Sequence, residues 1–161
     1  MPEDRASPTA SSADRFRVGE TVTTSVRTLS AADIEEFAHL TGDENPLHLD
    51  ESFSAGQLFH GRVAHGLLTL SATLGLWYQC GLFDGWIVVF LGIDKLRFVK
   101  PVRPGESLSA RLHVLSREPS PRGDRVELEN TTFNAEQEPV LTFSARLLIS
   151  RPADVSRAIS R

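Results

Sequence analysis

Two hydrophobic rhythms divide the chain. From Val88 onward apolar residues recur at every second position: Leu108, Ala110, Leu112 and Val114 alternate with Ser109, Arg111 and His113, and Leu141, Phe143, Ala145, Leu147 and Ile149 alternate with largely polar or small neighbours. A two-residue period places one face of each strand on a core and leaves the other toward solvent. Pro104-Gly105 suits the centre of a type II turn, and segments 119–124 and 134–139 read as hairpin connections. The N-terminal half has a helical rhythm. After a β-branched-rich segment at 21–29, expected as a first strand, Ser30 offers a capping oxygen and Asp33 a first-turn carboxylate. Ile34, Phe37, Ala38 and Leu40 form the expected stripe, and Gly42 is the stop. Pro46 keeps Asn45 out of the helical region, so 42–48 is expected as a loop, followed by a short helix within 51–58.

Residues 63–83 contain no Asp, Glu, Lys or Arg. The run is long enough to cross a bilayer, which takes about 20 residues. His65, Thr69, Ser71, Thr73, Gln79 and three glycines argue against that, as does the strand-rich half that follows. A helix apolar on every side is otherwise one buried on every side. The expected architecture is α+β, a curved antiparallel sheet of about five strands wrapped around a long central helix at about 63–79. One sheet covers such a helix incompletely, so a homodimer is expected.

At 161 residues, 40% hydrophobic and 24% charged, the chain suits a single domain with an ordinary core. That domain is expected over 15–151, between a disordered tail at 1–14 and a C-terminal tail at 152–161. A net charge of -4 argues against nucleic acid as a partner. Cys80, the only cysteine, excludes an intrachain disulfide and reads as core packing. Without a signal-like apolar core in the first residues, the cytoplasm is the expected location.

The candidate chemistry lies where the two rhythms meet. Asp43 and His48 bracket a proline-stiffened segment, where a carboxylate and an imidazole can hold one water and move its protons near neutral pH. Each alone is more often structural. His65-Gly66 opens the uncharged helix, whose first amides lack internal partners and sit at the positive end of its dipole. A thioester carbonyl placed there is polarised, and glycine permits its close approach. His39, beside Glu35 and Glu36, reads as a surface residue, and His60 and His113 have no partners at ligand spacing, so no metal site is expected. Lys95, Arg97, Lys100 and Arg103 form a local basic cluster, read either as a solvated strand edge or as an anchor for coenzyme A or carrier phosphates. Gly75 leaves room on the helix, whereas Trp77, Tyr78 and Trp86 are candidates to line or close an acyl pocket.

The segments Thr41-Gly42-Asp43-Glu44-Asn45-Pro46-Leu47-His48-Leu49-Asp50 and Arg62-Val63-Ala64-His65-Gly66-Leu67-Leu68, with Ser71 beyond, resemble the signature of MaoC-like (R)-specific enoyl-CoA hydratases and dehydratases, of the hot-dog fold. The resemblance runs from about Phe16 to Ser150. It implies that Asp43 and His48 bind and activate the catalytic water, that Asn45 braces them, that the Gly66 amide bonds the thioester carbonyl, and that His65 and Ser71 support the site. The implied reaction is reversible hydration of a trans-2-enoyl thioester of coenzyme A or acyl carrier protein. Its only cofactor is the coenzyme A or phosphopantetheine carried by the substrate. A hot-dog thioesterase would use the carboxylate for hydrolysis, but the Asp-x-Asn-x-x-His spacing argues against it. A non-catalytic acyl-thioester binding protein would not need both Asp43 and His48.

Overall fold

The computed structural model describes residues 15–150. The two expected tails lie outside the described residues. Ten elements follow in chain order: strands β1 (Thr21–Thr23) and β2 (Arg27–Thr28), helices α1 (Ala31–Thr41), α2 (Pro46–Leu49), α3 (Glu51–Ala55) and α4 (Gly66–Gln79), and strands β3 (Ile87–Phe98), β4 (Ser107–Ser120), β5 (Gly123–Phe133) and β6 (Pro139–Ser150). The sheet is antiparallel with order β1-β4-β5-β6-β3, and β2 joins β4 separately. Among the described residues there are six strands rather than about five, because the expected first strand is two. Thr24 explains the break: its hydroxyl accepts the Ala110 N–H at 2.9 Å, taking the place a main-chain carbonyl would have in the ladder.

The two-residue period holds on the long strands. Leu108, Ala110, Leu112 and Val114 of β4 are buried, as are Leu141, Phe143, Ala145, Leu147 and Ile149 of β6. The Pro104-Gly105 turn closes with the Glu106 N–H on the Arg103 carbonyl at 3.1 Å. Both hairpin connections fall where expected, with only Pro121 and Arg122 between β4 and β5. Helix α1 begins with a reciprocal capping box. Ser30 Oγ accepts the Asp33 N–H at 3.1 Å, and Asp33 Oδ2 accepts the Ser30 N–H at 2.7 Å. Gly42 closes α1 in the left-handed region at φ 77°, its N–H on the Ala38 carbonyl. The apolar stripe is narrower than expected: Ile34 and Ala38 are buried, but Leu40 is 83% exposed.

Hydrogen bonds from Ser30, and secondarily the Arg27 guanidinium, hold the Asp33 carboxyl below its ordinary value of 3.8. A depressed carboxylate stabilises the fold above that value, and the contribution is lost as pH falls through the folded-state value. Ser30→Ala is therefore expected to cost about 1 kcal/mol at neutral pH. The difference from wild type should shrink in acid, measured by urea denaturation at pH 7 and pH 3.

Helix α4 lies against the core face of the sheet. Leu68, Leu70, Ala72, Leu76 and Trp77 are buried there, whereas Leu67 and Tyr78 are 58% and 72% exposed and Ser71 is exposed beside them. The uncharged helix is thus not buried on all sides within one chain. Its helical part, 66–79, is shorter than the charge-free run, and among the described residues no helix is long and apolar enough to cross a membrane. Cys80 is half-buried against the core, and burial pushes its thiol up.

Candidate active site

The segment expected as a loop at 42–48 contains a turn of helix. Pro46 occupies the first position of α2, where a missing N–H costs nothing, and Asn45 caps it through Oδ1, which accepts the Leu47 N–H at 3.0 Å. Proline therefore starts a helix here. His48 is thereby carried on a short rigid turn, and its Nδ1–H donates to the Val63 carbonyl at 2.8 Å. A carbonyl only accepts, so a neutral His48 carries its proton on Nδ1 and leaves Nε2 as a lone pair.

His65 does more than its place beside Gly66 suggests. Its ring is 3% exposed and lies against that of His48, with centroids 3.8 Å apart and planes inclined at 32°. Nε2–H donates to the Asp43 main-chain carbonyl at 2.9 Å, tying the acid's backbone to the start of α4, while Asp43 Oδ2 lies 4.0 Å from the same nitrogen. Phe37 of α1 packs nearby at 5.1 Å between ring centroids. Donor atoms of Asp43, His48 and His65 all fall within 4.8 Å of one another. A water bonded to two groups at about 2.8 Å spans up to about 5.6 Å, so one molecule can bridge the carboxylate and an imidazole. As a metal site the trio fits poorly. His48 would still offer Nε2, but His65 Nε2 is committed to the Asp43 main-chain carbonyl and would have to release it to serve as a ligand.

Gly66 opens α4 with no side chain capping the helix, because His65 at the cap position turns its ring to Asp43. Both His48 and Gly66 line one cavity of about 390 Å³, walled chiefly by Leu47, Phe59, Leu67, Phe98, Val102 and Val140. Phe98, at the end of β3, presses on Gly66 so closely that an added Cβ would stand 2.8 Å from the ring. Any larger residue there would have to push the Phe98 ring aside. The period-two pattern contained β3 but gave no sign that Phe98 would reach Gly66.

The other expected site residues separate. Ser71 lies on the exposed side of α4 with its hydroxyl donating to the Leu67 carbonyl at 2.8 Å, and it is not part of the cavity wall. The basic cluster is divided. Lys100 lines the cavity but is engaged with Glu138 at 2.6 Å, a contact that holds that carboxyl below its ordinary range. Arg97 pairs with Thr142 across the sheet, on the face opposite Phe98 and its partner Leu141. Lys95 is exposed beside the irregularity between Asp94 and Arg97. Arg103 donates instead to the Phe59 carbonyl, holding the connection that precedes α4. Sequence proximity brought these four together because bulges and turns in 95–103 were invisible to it. Of the aromatic candidates, Trp77 is buried, Tyr78 exposed and Trp86 intermediate, and all three border a second, smaller apolar cavity away from His48.

The chain belongs to the MaoC-like domain family, whose model matches residues 14–135, and its architecture is the hot-dog fold. It is similar to the (R)-specific enoyl-CoA hydratase of Aeromonas caviae, 37% identical over 103 residues covering 64% of this chain and 74% of that one. It is also similar to Protein MaoC of Klebsiella aerogenes, 36% identical over 110 residues, 68% of this chain but only 32% of that protein, so the chain spans about a third of that relative. Among solved structures, the MaoC-like dehydratase from Rhodospirillum rubrum superposes with a TM-score of 0.75 at 30% identity, covering 84% of this chain and 93% of that one. The family is one of hydratases and dehydratases.

Proposed function

We propose that this protein is a hydro-lyase that reversibly adds water to trans-2-enoyl thioesters of coenzyme A or acyl carrier protein, giving (R)-3-hydroxyacyl thioesters. The observation that carries the reading is the single cavity whose wall holds both His48 and the uncapped start of α4, with the Asp43 carboxylate beside that imidazole. With the thioester carbonyl on the Gly66 amide, negative charge that develops on its oxygen meets a preorganised donor. Water held by Asp43 and by the free Nε2 of His48 attacks C3. One of its protons passes to the carboxylate, the C2–C3 π pair moves toward the carbonyl, and a proton returns from the pair to C2. Dehydration runs the same steps backward. Similarity to an (R)-specific hydratase supports the stereochemistry, and the mostly apolar wall suits an acyl chain. The chemistry needs no cofactor beyond the coenzyme A or phosphopantetheine that the substrate carries, and a cytoplasmic setting fits such substrates.

Incubation with crotonyl-CoA tests the reading. Loss of the conjugated enoyl absorbance without release of free thiol is the expected result. Thiol release would instead mark a thioesterase, and failure to act on coenzyme A or carrier-bound enoyl groups alike would leave only a binding role.

A homodimer accompanies this proposal. Among the described residues β3 is an edge strand that pairs only with β6, and its Ile87, Val89, Phe90, Leu91 and Phe98 are 41–51% exposed. With Leu67 and Tyr78 of α4 also exposed, one chain leaves apolar surface and an open sheet edge that a second copy would cover. Sedimentation equilibrium should return twice the mass of the chain. A monomer at micromolar concentration would refute it.

A further inference from the structure

Arg62 lies in the connection between α3 and α4, its side chain 16% exposed and outside the cavity wall. Its Nε–H donates to the main-chain carbonyl of His48 at 2.8 Å, and Nη2 donates to Glu35 Oε1 on α1 at 3.3 Å. The next residue, Val63, offers its carbonyl to His48 Nδ1 at 2.8 Å. Two consecutive residues therefore hold the two ends of His48, the guanidinium its backbone and the carbonyl its ring. The connection is itself tied down, with the Arg62 N–H on Glu51 Oε2 at 3.4 Å and the Val63 N–H on the Leu47 carbonyl at 3.5 Å.

The grip matters because α2 has only four residues. A helix that short has no stability of its own, and its last carbonyls have no partner within the helix. His48 contributes one of those carbonyls, and Arg62 satisfies it. A guanidinium suits the task because its planar fork serves a carbonyl and a carboxylate at once in fixed geometry, whereas an ammonium is a point donor on a flexible stem.

We infer that Arg62 is a positioning residue for His48: bridging the His48 carbonyl and Glu35, it sets the turn so that Val63 captures Nδ1–H and Nε2 is left free toward the water. The kinetic consequence rests on the hydration reading; the effect on the imidazole does not. The test compares wild type with Arg62→Ala and Arg62→Lys in two measurements. Long-range 15N–1H correlation spectra of histidine-labelled protein, with the His48 signals assigned by their loss in His48→Ala, report the tautomer directly. Wild type should show a single tautomer protonated at Nδ1, and both variants a mixture. With crotonyl-CoA, Arg62→Ala should lower kcat by about tenfold to a hundredfold, the scale of a misplaced catalytic group, with KM changed less than threefold. Arg62→Lys should recover only part of the loss. It keeps the charge and the aliphatic stem, and so serves if the alanine variant fails to fold. A wild-type tautomer in either folded variant overturns the assignment, as does full recovery of kcat by lysine. Should wild type turn over no enoyl thioester, the hydration reading falls while the spectra still decide the role of Arg62.

Discussion

Asp43→Ala and His48→Ala are each expected to lower turnover of an enoyl thioester by about a hundredfold or more, the scale of lost acid-base catalysis. The two substitutions differ in what they leave intact. Asp43 is held through its main-chain carbonyl, which accepts from His65, so alanine removes the carboxylate without releasing the backbone. Asp43→Asn should lose as much, because an amide cannot take the water's proton. His48→Ala removes the lone pair at Nε2 and also the Nδ1 bond to Val63, adding a stability loss of about 1 kcal/mol. Steady-state rates with crotonyl-CoA, beside circular dichroism to verify folding, decide the matter. Near wild-type turnover by the folded Asp43→Ala and His48→Ala proteins would sink the mechanism.

Trp77→Ala is expected to have the largest effect on stability, a loss of about 3–5 kcal/mol in denaturant unfolding. Trp77 is 2% exposed and stacks on Phe143 with ring centroids 5.4 Å apart. Its indole N–H begins a buried chain of donors that runs one way: to Asn130 Oδ1 at 2.9 Å, from Asn130 Nδ2 to Thr132 Oγ1 at 3.0 Å, on to Thr73 Oγ1 at 3.0 Å, and from there to the Thr69 carbonyl at 2.9 Å. Thr73 spends its only hydroxyl proton on Thr69, which makes Thr132 the donor between the two hydroxyls. Trp77→Phe preserves much of the packing but leaves Asn130 Oδ1 buried without its donor, and should cost about 1–3 kcal/mol. A phenylalanine variant as stable as wild type would show that the network contributes nothing.

This network shows where a reading of the chain stops. Asn130 and Thr132 lie on the core face of β5, opposite Leu112 and Ala110 of β4. Alternation alone predicts apolar residues there. Their partners, Trp77 and Thr73, are more than 50 positions away on α4, and a hydrogen bond at that separation leaves no periodic trace. Ser71 illustrates the converse. Its position beside the motif suggested a site residue, but helical geometry turns it to the uncovered side of α4.

Legible in the chain alone were local features: the capping oxygen of Ser30 and the first-turn carboxylate of Asp33, the stop at Gly42, the alternation of β4 and β6, the uncharged α4, and the spacing of Asp43, His48 and Gly66. These depend on dihedral preferences and on apolar side chains recurring at the period of their own backbone, which neighbouring residues dictate. Packing between elements is what lays His65 obliquely against His48 and onto the Asp43 carbonyl, brings Phe98 to Gly66, lets Arg62 and Val63 grip His48, and disperses the basic residues of 95–103. Each of these is a contact between elements whose relative placement is set by burial of the whole core. The hydrophobic effect that sets it is non-directional, and its outcome at any one residue depends on the shape of everything packed around it.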